Sequence, residues 1–379
     1  MIEQRKLNNL GISASLLGYG AMRFPINGDD HANIDMEKTQ KLIDVAIENG
    51  VNYFDTARFY HNGKSEEAIG ELLKKYPRED LFYATKLPIG DVKQDSDVFD
   101  IVEEQLSKLQ TDYIDFYLLH GVGRGCLAGI EKFKILEKME QLKASGKIRY
   151  IGFSFHDNLE TFKIYADMYD WDFCMIQLNY VDVDSQQGIE GYNILTQKGI
   201  PVMIMEPLKG GTLTSFNPEI SKLFNDIDSN ATVASFAMRW AASLPNVKVI
   251  MSGMTEMEHL MDNIKTLTDF KPLSDAEIEA CKQVKKMIEG TSAVPCTFCK
   301  YCMPCPLGVD IAGAFSAHNQ YVVYNNVDRF NDFMRYSRSS NQNPEKCTGC
   351  GVCLEKCPQK IDIPTKLQDV LELEKQLNN

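Results

Sequence analysis

Nowhere in the 379 residues is there an apolar run long enough to span a bilayer. The first residues, Met1-Ile2-Glu3-Gln4-Arg5-Lys6, are polar and lead into no apolar signal core. Basic charge is in deficit: the formal net charge is −13, whereas nucleic acids and anionic membranes are recognised by basic patches. Neither is expected as a partner. Low-complexity repeats are missing as well. The cysteines are not spread as in a small oxidised scaffold but cluster at Cys-x-x-Cys spacing in a long chain, which argues for free thiols and a cytoplasmic location.

What is there begins with alternation. Apolar runs at Leu16–Gly20, Val51–Thr56, Leu81–Leu87, Tyr113–Leu119, Arg149–Phe153, Phe173–Leu178, Pro201–Met205 and Val247–Met251 read as eight strands buried on both faces. Between them lie helical patterns, such as Met36–Asn49 with its Leu42, Ile43, Ala46, Ile47 stripe and Gly50 as a stop. The others are Ser65–Leu73, Ser96–Leu109, Gly129–Ser145, Leu159–Met168, Gly188–Lys198, Ala231–Ser243 and Met257–Leu267. An open doubly wound sheet calls for a Gly-x-Gly-x-x-Gly turn that opens a helix after the first strand. Gly18-Tyr19-Gly20-Ala21-Met22-Arg23 does not provide one. The expectation is therefore an α/β protein with a (β/α)8 TIM barrel. Gln4–Gly11, ahead of the first strand, suits a hairpin closing the barrel's lower end.

After an amphipathic stretch, Ser274–Ile288, the polar run Glu289-Gly290-Thr291-Ser292 marks a boundary. The expected division is residues 1–290, the barrel, and residues 291–379, a small, mainly helical, ferredoxin-like domain. Helices are expected over Asp310–Asn325, Val327–Tyr336 and Pro364–Leu377. Eight of the eleven cysteines fall in this second part. Cys296, Cys299, Cys302 and Cys305-Pro306 form one run; Cys347, Cys350, Cys353 and Cys357-Pro358 form the other. Triplets of cysteines three apart, each followed by Cys-Pro, are the ligand pattern of two 4Fe–4S clusters, the remote cysteine serving the other cluster. That rule groups Cys296, Cys299, Cys302 and Cys357 in one set and Cys347, Cys350, Cys353 and Cys305 in the other. Zinc ribbons also use Cys-x-x-Cys, but as two pairs rather than two triplets. Cys126, Cys174 and Cys281 read as packing residues.

In TIM barrels the chemistry sits on loops at the carboxyl ends of the strands. Here the second strand ends in Asp55-Thr56-Ala57-Arg58-Phe59-Tyr60, the third in Thr85-Lys86 and the fourth in Leu119-His120. Each residue alone has an ordinary structural reading: cap, half-buried ring, solvated charge, core imidazole. Together at successive strand ends they resemble the tetrad of the aldo-keto reductase superfamily. Gly152-Phe153-Ser154 and Gln177 resemble the positions that hold the nicotinamide amide. The likeness extends over about three quarters of the chain, and the branch it resembles carries a C-terminal ferredoxin-like 4Fe–4S domain.

The resemblance implies an NAD(P)H-dependent oxidoreductase that reduces an aldehyde or ketone. Tyr60 would give the proton, with Lys86 favouring its phenolate, Asp55 pairing Lys86, and His120 orienting the carbonyl. It further implies NADP, or NAD, held by Ser154, Gln177, Pro207, Leu208, Gly210, Gly253, Asp262 and Asn263. Two positions depart from the family pattern. Met205 stands where many members stack a tyrosine, and no Lys or Arg is evident near Ser252 for the 2′-phosphate; Lys209 is an alternative. His156 and Arg58 are rim candidates for an acidic or polar substrate.

The clusters have two readings: an electron relay, implying a ferredoxin or flavoprotein partner, or a staple for a domain with a small core. Two alternatives to the reductase stand beside it. One is an electron-transfer subunit whose barrel docks a partner, and the other a redox sensor whose barrel only binds a nucleotide.

Overall fold

The computed structural model describes residues 1–28, 30–214, 216–291, 293–323 and 326–377. Ser292 and Asn325, which fall in the expected boundary and at an expected helix end, lie outside the described residues. The chain divides into two compact units, Met1–Pro207 with Met238–Leu273, and Leu208–Ala237 with Ser274–Asn379.

The first unit opens with an antiparallel hairpin, β1 (Gln4–Leu7) and β2 (Ile12–Ser15). Eight parallel strands then close into a barrel. They are β3 (Leu17–Gly20), β4 (Tyr53–Asp55), β5 (Phe82–Leu87) and β6 (Ile114–Val122). The circle is completed by β7 (Ile148–Phe155), β8 (Phe173–Gln177), β9 (Val202–Met205) and β10 (Val247–Ser252), which pairs back onto β3. Each corresponds to one of the eight apolar runs.

Bulky side chains fill the bore. Phe116 at its centre meets Tyr53, Phe173 and Tyr150 at ring separations of 4.9, 5.0 and 5.2 Å. Burying such a ring contributes about 1.5–3 kcal/mol. Leu7 and Ala14 of the hairpin belong to the same buried cluster, so the hairpin plugs the barrel.

Helices follow the strands: α1 (Met36–Glu48), α2 (Ser65–Leu73), α3 (Asp97–Leu109), α4 (Leu127–Lys132), α5 (Ile135–Ala144), α6 (Leu159–Asp167) and α7 (Gly188–Gln197). The Asp35 carboxylate caps α1 by accepting from the Lys38 N–H at 2.9 Å. The stretch 129–145, expected as one helix, is two, because Lys134 turns left-handed at φ 46°.

In the second unit, α8 (Pro218–Asn225) begins on Asn217, whose side chain accepts from the Ile220 N–H at 2.9 Å. Helix α9 (Val233–Ala242) crosses the division, and α10 (Met257–Leu267) returns to the first unit. A Ser274–Glu277 capping box starts α11 (Asp275–Glu289). The remainder is helical: α12 (Ile311–Val322), α13 (Val327–Ser339), the short α14 (Val352–Lys356) and α15 (Ile363–Leu377). Phe315, Phe330, Met334, Leu367 and Val370 form its core together with Cys353 and Cys357. Among the described residues no helix is long and apolar enough to cross a membrane.

Candidate functional site

Parallel pairing brings the carboxyl ends of all eight barrel strands to one rim. Asp55 ends β4, Lys86 lies near the end of β5, and His120 lies in β6. The Lys86 ammonium donates to Asp55 Oδ1 and to the Thr56 carbonyl, both at 2.7 Å, and to the Tyr60 hydroxyl at 3.4 Å. It also stands 4.9 Å from the centre of the Tyr60 ring. Tyr60 in turn meets the His120 ring edge-on at 6.1 Å. The four residues, drawn from three successive strands and the loop after β4, are one constellation.

Its electrostatics follow from burial. Asp55 and Lys86 are 4% and 1% exposed, whereas Tyr60 and His120 are partly open. Enclosure raises the Asp55 carboxyl above the usual range, and the ammonium beside it opposes that rise. Asp55 Oδ2 is buried with no hydrogen-bond partner, so the Lys86 contact is what compensates this carboxylate. His120 is held well below the ordinary imidazole value, first by desolvation and then by the charge of Lys86 and by His156. It is therefore a neutral ring at pH 7.

Beneath Lys86 lies a buried polar network. Glu66 Oε1 accepts from the Thr85 hydroxyl at 2.6 Å and from Gln105 Nε2 at 2.8 Å. Gln105 also donates to the Lys86 carbonyl at 3.0 Å and accepts from the Tyr117 hydroxyl at 2.8 Å. Arg58 is not a spare rim cation, since Asp91 and Glu104 take its guanidinium at 3.3 and 2.7 Å.

On the other side of the rim, Ser154, Gln177 and Met205 converge. Ser154 Oγ donates to Met205 Sδ at 3.8 Å, and Gln177 pairs in register with Met205. The Gln177 amide is fixed by Asp182 and Gln186 at 3.2 and 3.1 Å. Pro207 follows, buried. Asn263 is buried and donates to Ser252 Oγ at 3.0 Å, with half-buried Asp262 beside it. Gly253 is exposed, and a Cβ there would come within 2.9 Å of the Arg23 side chain. The Thr255 hydroxyl donates to the Arg23 carbonyl at 3.0 Å, and Tyr19 donates to the Met254 carbonyl at 2.8 Å. The loop after β3 thus brings Arg23 beside Gly253, its side-chain carbons packed there. The cue, Met22-Arg23 after a first strand, lies 230 residues away, as the difference 253 − 23 shows.

Leu208 and Gly210 belong to the second unit. Gly210 is left-handed at φ 66°, and a Cβ there would lie 2.2 Å from the Thr297 carbonyl oxygen, so the absence of a side chain makes room for Thr297. Lys209 is 7% exposed rather than a solvated charge.

None of the eleven cysteines is in a disulfide. Cys174 and Cys281 are buried and Cys126 half-buried, as packing residues are. The other eight sort into two cavities of about 320 Å³ each, solvent-facing space included. Cys296, Cys299, Cys302 and Cys357 line one; Cys305, Cys347, Cys350 and Cys353 line the other. Each remote Cys-Pro thus faces the triplet of the opposite run.

Both triplets use one backbone pattern. The second and fourth residues after the first cysteine are left-handed: Phe298 and Lys300 at φ 57° and 63°, Gly349 and Gly351 at φ 73° and 77°. This winding turns three sulfurs to one side. Burial and the neighbouring sulfurs of Cys299, Cys296 and Cys357 push the Cys302 thiol up to about 12. Cys353 is raised by burial and by Cys347, Cys305 and Cys350. Cys302 and Cys353 thus resist ionisation on their own, and a bound cationic core is what would stabilise them as thiolates. The residues fit such a group.

Comparison with known proteins agrees with this geometry. Residues 16–286 match the Aldo/keto reductase family, and residues 295–361 match a 4Fe-4S dicluster domain. The NADH-specific methylglyoxal reductase of Escherichia coli is 25% identical, over 75% of this chain and 98% of its own length. L-galactose dehydrogenase of Arabidopsis thaliana is 26% identical, over 76% of this chain and 95% of its own. Among solved structures, a Klebsiella pneumoniae aldo-keto reductase in complex with NADPH superposes with a TM-score of 0.62 at 22% identity, covering 75% of this chain and 96% of that one.

Proposed function

The chain belongs to the Aldo/keto reductase family, and from that premise we propose that it reduces an aldehyde or ketone with a nicotinamide dinucleotide while carrying two 4Fe–4S clusters. The observation that carries the proposal is the Lys86 ammonium, 2.7 Å from Asp55 and 3.4 Å from the Tyr60 hydroxyl. When bound, the reduced nicotinamide supplies a hydride to the carbonyl carbon. Tyr60 gives its phenolic proton to the carbonyl oxygen, and Lys86 stabilises the phenolate left behind. Asp55 fixes the ammonium. His120, neutral, binds the carbonyl by hydrogen bond and orients it.

Ser154 and Gln177 suit the nicotinamide amide, Pro207 the turn beside it, Gly253 the phosphates, and Asp262 and Asn263 the adenine. Arg23, whose side-chain carbons pack at Gly253, adds a cation to the loop proposed for the dinucleotide's phosphates. Leu208 and Gly210 belong to the second unit and stand apart from this set; the Thr297 carbonyl lies where a Cβ at Gly210 would be.

The two cysteine sets would each hold one 4Fe–4S cluster, which supplies one-electron transfer. If they relay electrons, the partner is a one-electron carrier such as a ferredoxin or flavoprotein. Free thiols and oxygen-sensitive clusters suit a reducing compartment and support a cytoplasmic location. The matches over 16–286 and 295–361 support a barrel domain at 1–290 and a cluster domain at 291–379. Turnover of a panel of small aldehydes and ketones, with NADPH and with NADH, tests the proposal. Oxidation of neither cofactor by cluster-loaded protein would refute it.

A further inference from the structure

Directly after Tyr60 the backbone is left-handed three times: His61 at φ 52°, Asn62 at φ 53° and Gly63 at φ 88°. For a residue with a Cβ this conformation is strained, and such strain persists where the surroundings over-determine it. The His61 imidazole provides that determination. It is 5% exposed. The Phe24 N–H donates to Nε2 at 3.1 Å, and Nδ1 lies 2.8 Å from the His31 carbonyl oxygen. An Nε2 that accepts leaves the proton on Nδ1, so one neutral tautomer satisfies both bonds. The ring also stacks on Phe24 at 5.8 Å and 28°.

Phe24 stands just before the Ile26–Ile34 bridge, and His31 lies between its two residues. The imidazole therefore ties the turn beginning at Tyr60 to the loop that follows β3. At the other end of the turn the Lys64 N–H donates to the His61 carbonyl at 3.0 Å, leading into α2.

We propose that His61 is the positioning residue for Tyr60, a neutral imidazole clamped at both nitrogens that holds the left-handed turn aiming the phenol at Lys86. The inference rests on Tyr60 being the proton donor. It assigns His61 no contact with substrate. An imidazolium has two N–H donors and no acceptor, so protonation sets Nε2–H against the Phe24 N–H and opens the clamp. Burial lowers the His61 pKa most; the hydrogen bond to the His31 carbonyl opposes it, the His31 ring, 6.1 Å away, lowers it when charged, and a hydrogen bond to the Ala21 backbone opposes it again. The remaining charged groups nearby are Asp30, reached through Asn62 at 3.5 Å, and the chain neighbours Lys64 and Arg23. The clamp is thus closed at neutral pH and opens as pH falls below the ordinary imidazole value.

Steady-state carbonyl reduction by the full cluster-loaded chain tests this. His61→Phe keeps the ring shape but removes both bonds. It is expected to lower kcat by about 100-fold, the cost of a misplaced catalytic group, with both KM values within about twofold. His61→Gln, which keeps one bond and does not titrate, should recover part of kcat and abolish an acid limb that wild type shows below pH of about 6.5. Tyr60→Phe is the control. If it is inactive while His61→Phe keeps kcat within about threefold, positioning is overturned and the proton-donor reading survives. If Tyr60→Phe is active, both fall. An acid limb that persists in His61→Gln also overturns the proposal, and this holds even where His61→Phe does not fold.

Discussion

The Lys86 ammonium stands 3.4 Å from the Tyr60 hydroxyl and 2.7 Å from Asp55 Oδ1, with the carboxylate's second oxygen buried and unpartnered. Lys86 is accordingly the counter-charge that lets Asp55 stay buried, with its ammonium in reach of the Tyr60 hydroxyl.

Removing that counter-charge should cost stability as well as activity. Lys86→Met leaves a buried carboxylate alone, and loss is expected at about 3–5 kcal/mol by urea denaturation. Lys86→Met with Asp55→Asn should recover most of the stability and none of the carbonyl reduction. A double variant as unstable as the single one would contradict this account of the pair.

His120 titrates well below a free imidazole, with desolvation the leading cause. The unfolded chain therefore binds a proton at this residue below pH of about 6.5 that the folded chain does not, so stability falls as pH drops through that value. Melting curves between pH 5 and pH 8 should show the slope, and His120→Asn should reduce it, the remainder coming from His61 and His318, which burial also lowers. An unchanged slope in the variant would assign it elsewhere.

The cysteine sets predict which cluster each remote thiolate serves. Cys357→Ser should disturb the centre of the Cys296–Cys302 run, and Cys305→Ser that of the Cys347–Cys353 run. Combined with Cys299→Ser, the Cys357 change should cost no more iron than either alone, about half the total. Iron falling further in that pair than in Cys357→Ser with Cys350→Ser would break the exchange.

Gly210→Ala must place a methyl where the Thr297 carbonyl oxygen stands 2.2 Å away, on a backbone at φ 66°. Destabilisation of about 1–3 kcal/mol is expected in the second unit, read as faster proteolysis and lower iron content. Wild-type proteolysis and iron would show that the loop shifts freely.

The barrel was legible because its strands are apolar runs of Val, Ile, Phe and Tyr, and the grouping of Asp55, Tyr60, Lys86 and His120 because they fall toward the ends of three successive strands. Helix α8 was overlooked although Asn217-Pro218, a cap followed by proline at the first helical position, announces it. The break at Lys134 carries no proline or glycine to mark it. His61 and Arg23 were out of reach for another reason. Their partners, Phe24 and Gly253, lie far off in sequence, and only barrel closure from β10 to β3 brings the last strand's loop beside Arg23. Periodicity encodes elements, not such meetings.

Carbonyl reduction by Tyr60→Phe tests the central claim most directly. With cluster content and dinucleotide affinity matched to wild type, the variant should lose about 100-fold or more in kcat. Turnover equal to wild type would contradict the assignment of Tyr60 as the proton donor.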